Sequence, residues 1–137
     1  MDESLFGALS APVLASLPEW KRLKKELHGP GYMQAFGLTE SQRWHALAAL
    51  GRPLLIVTAT DQSARTIAQD LALFLRNRVA AYPVREESLQ RVSAMSRERE
   101  GQAMQVLCRL LTGELSAVVT SVDALLQPVP DPERFRA

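Results

Sequence analysis

Gly37-Leu38-Thr39-Glu40-Ser41-Gln42-Arg43-Trp44 is the stretch whose residue types and spacing come nearest to chemistry. It lies where a short apolar segment, Tyr32 to Phe36, gives way to a helical pattern, which is where a phosphate-binding loop sits. A working loop, G-x-x-x-x-G-K-[ST], uses its second glycine for close backbone approach, its lysine for the β- and γ-phosphates and its hydroxyl for Mg²⁺. In that register Gly37 keeps the first glycine, but Gln42 replaces the second, Arg43 the lysine and Trp44 the hydroxyl. No magnesium ligand is left. The sequence therefore predicts a degenerate nucleotide loop, no catalytic residue and no cofactor. An ordinary capped connection explains the same residues, with Thr39 or Ser41 as the N-cap of the following helix. Arg43 still pairs readily with phosphate, so weak anion binding at that helix N-terminus is compatible with the pattern.

The elements that would position this loop follow from periodicity. Phe6, Leu9, Val13 and Leu17 share one side of a helix over Glu3 to Leu17, with Asp2 or Ser4 as cap and Pro12 as a kink. Pro18 suits the first turn of a second helix, with Trp20, Leu23 and Leu27 on one face and Lys21, Arg22, Lys24 and Lys25 on the other. That basic surface suits phosphate or an acidic partner, but such a run is more often a solvated face whose lysine stems cover apolar neighbours. His28-Gly29-Pro30-Gly31 ends the helix.

Strand and helix then alternate. Tyr32–Phe36 is expected to be a strand, Glu40–Leu50 a helix stopped by Gly51, and Leu54–Thr58 a parallel strand covered on both faces. Thr60 or Asp61 caps a helix carrying Ala64, Ile67, Ala68, Leu71 and Leu75, and Val79–Tyr82 is a third strand closed by Pro83. A helix over about Arg97 to Leu111 turns Ala103, Val106, Leu107 and Leu110 inward, with Cys108 as a small buried residue. Ala117–Thr120 is a fourth strand, and Ser121 caps a short last helix. Val84 to Ser96 carries no clear pattern. Four strands with intervening helices predict an α/β fold with parallel crossovers.

Bulk properties exclude other classes. The 137 residues hold 16 basic and 15 acidic side chains, a net charge of +1 that calls for no polyanionic partner. A DNA-binding module built on Lys21 to Lys25 with Arg76 and Arg78 is therefore the weakest reading. One cysteine excludes an internal disulfide framework, and His28 and His45 lack neighbours at ligand spacing, so no metal site is expected. The acidic N-terminus lacks a secretory pattern, and the default compartment is the cytoplasm. Pro128-Val129-Pro130-Asp131-Pro132 reads as a linker in a chain cut from something longer.

Taken in order, several of these segments resemble the start of the bacterial transcription-repair coupling factors, the Mfd family, whose N-terminal part is similar to the excinuclease subunit UvrB. They are Gly37-Leu38-Thr39 with the altered loop after it, Gly51 to Thr58 with the Asp61–Leu75 helix, Tyr82-Pro83-Val84-Arg85-Glu86, the helix Gln102 to Leu111, and Val118 to Gln127. The resemblance spans about Leu5 to Phe135. It implies a RecA-like, helicase-lobe fold like the first subdomain of UvrB, preceded by N-terminal helices. Residues 1–30 would be a helical segment packing on the core, 31–127 the UvrB-like α/β subdomain, and 128–137 a linker toward a following subdomain.

The resemblance further implies a module without a competent ATPase site, in a protein whose translocation on DNA is powered by a separate motor. Its implied partners are the other domains of the parent protein, UvrA through a later subdomain, and RNA polymerase and DNA through other modules. An autoinhibitory packing of the whole protein is also implied. The alternative is an ATP-binding lobe of a UvrB-like or superfamily-2 helicase with an unusual loop.

Overall fold

A computed structural model describes residues 14, 16–85, 94–129, 131 and 133. The Pro128–Pro132 linker falls partly outside them, as does the expected Glu3–Leu17 helix apart from Leu14, Ser16 and Leu17. Helix α1 runs Pro18–Glu26, with the proline at its first turn, where its missing N–H costs no intrahelical bond. Helix α2 is Glu40–Ala49, strand β1 Leu54–Thr58 and helix α3 Asp61–Leu75. A single 3₁₀ turn, Arg76–Arg78, leads into β2, Val79–Tyr82. Helix α4 covers Ala94–Leu111, three residues longer at its start than its periodicity predicts, and β3 (Ala117–Ser121) runs directly into the short α5, Val122–Leu125.

The sheet has three strands in the order β1-β3-β2, all parallel, with Leu54 and Val79 both opposite Ala117. The α/β prediction with a parallel sheet holds. Two corrections apply to its strands.

The first concerns Tyr32–Phe36, which forms no strand. Gly31 and Gly37 bracket it with positive φ angles of 128° and 79°, turning the chain at both ends, and it joins none of the described strands. Tyr32 and Phe36 are 92% and 84% exposed. The second concerns β1, which is an edge strand covered on one face. Ile56 packs against the core, while Leu55 and Val57 are 61% and 45% exposed. The strand covered on both faces is β3, buried at all five positions.

Period-two alternation along β3 divides the core. Ala117 and Val119 face α3, which contributes Ala64, Ala68 and Leu71, joined by Val79 and by half-buried Ile56, Leu54 and Trp44. Alanines at i and i+4 carry no bulk to hold the helix away from the sheet. Val118 faces the other way, toward Ala103 and Val106 of α4 with Tyr82, Leu115 and Ala124. Expected inward positions on α4 are confirmed for Ala103 and Val106, and Leu107 packs against this cluster. Leu110 and Cys108 are exposed instead, because β2 and β3 cover only a narrow stripe of the helix. Helix α2 packs along α3, where His45 stacks on Phe74 at 5.4 Å between ring centroids.

Candidate functional site

In an open parallel sheet, ligands bind outside the carboxyl ends of the strands. Here that edge comprises the β1–α3 turn, the end of β2 and the β3–α5 junction. Each is tied to the others by its own side chains. The single hydroxyl proton of Thr58 is shared between the carbonyl of Thr60 at 2.8 Å and that of Thr120 at 3.2 Å. Thr120 in turn donates to the carbonyl of Tyr82 at 3.2 Å, so one chain of hydroxyls runs across all three strand ends.

The N-terminus of α3 is capped, and its first carboxylate is tied to the end of β2. Thr60 is the N-cap, with its hydroxyl accepting from the Ser63 amide at 3.1 Å. One oxygen of Asp61 accepts from the amide of Val84 at 3.1 Å, and the other pairs with Arg65 at 2.9 Å. Beyond β2, the Gln127 side chain brackets Arg85, accepting from its amide at 2.8 Å and donating to its carbonyl at 2.7 Å. The Arg85 guanidinium donates to the carbonyl of Pro128. This edge is a set of ties between elements. The Thr58-Ala59-Thr60-Asp61 turn has no glycine to let a phosphate approach the backbone, and a carboxylate stands at its helix N-terminus.

One variant pair measures the main tie. Asp61→Ala leaves the part-buried Val84 amide without its acceptor and is expected to cost about 1–3 kcal/mol in urea unfolding. Asp61→Asn keeps an acceptor oxygen and loses only a partly exposed ion pair, an expected loss below about 1 kcal/mol. Equal losses would show that Arg65, not Val84, is the partner that matters.

The residues singled out from the sequence lie elsewhere. Gly37 to Trp44 does not follow a sheet strand, so the strand-to-helix premise that made it a phosphate loop fails. Its residues start α2: Thr39 is the N-cap, and its amide donates to the Gln42 side chain at 3.0 Å in a capping box. Arg43 donates to the carbonyl of Leu38 at 3.2 Å. Trp44 packs against the core beneath α3, with its ring nitrogen buried and without a hydrogen-bond partner among the described residues. Glu40 and Ser41 border a shallow depression beside Asp70 and Phe74.

The basic residues remain together on α1. Arg22 pairs with Glu26 at 2.9 Å, and half-buried Lys24 lies 5.8 Å from the centre of the Trp20 ring. Between α1 and α2 is an apolar groove of about 650 Å³, walled by Leu17, Trp20, Leu23 and Leu27 on one side and Leu47 and Leu50 on the other. Arg52 donates to the carbonyl of Leu27 at 3.2 Å, holding the end of α1 near the start of β1. Among the described residues no group of three His, Cys, Asp or Glu side chains is placed to hold a metal, and no helix is long and apolar enough to cross a membrane.

Sequence reasoning missed the ties at the strand ends. The Asp61–Arg65 spacing of four on a helix was a readable signal. The pairing of Gln127 with Arg85, 42 residues apart, left none.

No family model matches the chain, and no solved structure matches it. Among curated proteins, the transcription-repair-coupling factor of Bacillus subtilis (strain 168) is 30% identical over 106 residues, an alignment covering 74% of this chain. The aligned part is 9% of that protein, so this chain spans only a small fraction of the relative's length. The chain is thus distantly similar, over most of its own length, to one region of a transcription-repair-coupling factor.

Proposed function

We propose that this chain is a non-catalytic scaffold and interaction module of a protein that couples transcription to DNA repair. In this reading the rest of the parent protein supplies the motor, and the module helps present the nucleotide-excision-repair machinery, UvrA in particular, to stalled RNA polymerase. It also takes part in autoinhibitory packing against the parent's other domains. The distant similarity to a transcription-repair-coupling factor supports the setting.

The observation that carries the non-catalytic part is the closed edge of the sheet. Where a parallel α/β fold would present free amides to a phosphate, Thr60 caps α3 and Asp61 binds the Val84 amide. A phosphate at that point would be repelled by the Asp61 carboxylate and would have to displace these bonds. Productive phosphoryl transfer also needs a held magnesium ion and a positioned water. The turn offers a single carboxylate already engaged with Arg65.

Calorimetric titration of the chain with ATP and magnesium, at concentrations that detect millimolar binding, tests this reading. No saturable heat is expected. Magnesium-dependent binding at one site per chain would make the module a nucleotide-binding lobe of the helicase type.

A further inference from the structure

We infer that the turn between α3 and β2 is a docking point for an acidic segment of a partner protein, with Arg76 and Arg78 as the contacts. Among the described residues Arg76 is the one non-glycine residue with a positive φ, at φ 55° and ψ −135°. That conformation belongs to the first central position of a II′ turn, where glycine is favoured because a Cβ crowds the backbone. A charged side chain stands where the backbone favours none. Nothing inside the chain accounts for it: the exposed Arg76 guanidinium has no hydrogen bond, ion pair or ring contact among the described residues. Nor does the negative end of α3, which has no basic residue in its last turn, where a cation would meet the helix dipole without strain.

The turn is held in this shape from three sides. The Arg76 amide donates to the carbonyl of Ala72, the Arg109 guanidinium to that of Asn77, and the Ser116 amide to that of Arg78 at 2.7 Å. Strained backbone persists only where its surroundings over-determine it, and it concentrates where proteins meet ligands. Arg78, two residues on, is likewise exposed and without a side-chain partner among the described residues, so two guanidinium groups leave one fixed turn. Each carries five N–H donors in a planar fork that fits a carboxylate. The surroundings select the kind of anion. Glu114 lies beside the turn, paired with Arg109 at 3.5 Å, so a continuous phosphate backbone would run into a carboxylate. No aromatic residue lies in the turn for a base to stack on. A protein segment instead places separate carboxylates on Arg76 and Arg78 alone, which fixes its orientation.

This inference deepens the interaction-module reading and rests on it, but the two fail separately. Nucleotide titration probes the carboxyl edge of the sheet, and the titration below probes a turn at its amino edge. The probe is a synthetic peptide rich in Asp and Glu, added to the isotope-labelled chain at low salt and followed by amide chemical shifts. Saturable shifts are expected at residues 76–79 and at Ser116, fading as salt is raised. Arg76→Gly should weaken binding at least tenfold and at the same time raise the midpoint of urea unfolding, because glycine relieves the backbone. Arg78→Gln should also weaken binding, with the urea midpoint unchanged. Lys21→Gln, on α1, removes one charge elsewhere and should leave the affinity within twofold.

Absence of saturable shifts at the turn would overturn the inference. An equal loss in Lys21→Gln would do the same, by showing only a response to net charge. A lower urea midpoint in Arg76→Gly would show that the side chain stabilises the fold itself and would remove the reason to assign it a partner. Duplex DNA that shifts the same amides and displaces the peptide would reassign the turn to a polyanion.

Discussion

Val119→Asp is expected to abolish the cooperative thermal unfolding of this domain. Val119 has no solvent exposure and lies at the middle of β3, paired with Ile56 on one side and Ala81 on the other. Its side chain packs in an apolar cluster with Ala64, Ala68 and Leu71 of α3. Placing an unpaired charge in such surroundings costs several kcal/mol, comparable to the ~5–15 kcal/mol that holds a domain together. Ile56→Asp, on the same face of β1, should behave alike. Val57→Asp is the control: one residue along, it points to the uncovered face of an edge strand, and a loss within about 1 kcal/mol is expected. If Val57→Asp is as damaging as Val119→Asp, something covers that face of β1 in solution.

Leu71→Ala should be the most damaging of the conservative truncations, lowering stability by about 2–5 kcal/mol. Leu71 is completely buried between α3 and the sheet, in a close-packed cluster with Ala64, Ala68, Val79, Ala117 and Val119, so truncation leaves a cavity that the surroundings fill only in part. The midpoint of urea unfolding should fall with little change in slope, since the surface exposed on unfolding is nearly unchanged. Leu73, two positions away on the same helix, is 64% exposed, and Leu73→Ala should shift the midpoint little. Equal effects at the two positions would mean that the helix is rotated about its axis relative to the sheet.

Much of this architecture was legible in advance because its signals are local. Thr60 and Ser121 cap the helices they precede, Pro18 opens α1, and the 3.6 period of Ala64, Ala68 and Leu71 marks the buried side of α3. Each of these depends on residues within a turn or two. The candidate site was misread for the opposite reason. A phosphate loop is defined by what precedes it, and Tyr32–Phe36 has the composition of a strand without partners for its backbone. Only pairing with a neighbour decides that, and the pairing partner is chosen by the whole sheet. With that strand gone, Gly37 to Trp44 becomes a helix cap, and the place where a nucleotide would lie moves to the β1–α3 turn.

From its sequence alone, this protein was determined to be an α/β chain with a parallel sheet, a set of capped helices and no complete phosphate loop, because composition, period and capping act over a few residues. The tertiary structure decided that β3 is the central strand and β1 an edge. It also decided that Asp61 and Gln127 tie the strand ends together and that α1 and α2 enclose an apolar groove beside a basic face. Those features depend on contacts between residues from 23 to 63 positions apart, such as Asp61 with Val84 and Leu54 with Ala117. Local pattern does not encode which distant partner wins; the free energy of packing the whole sheet does.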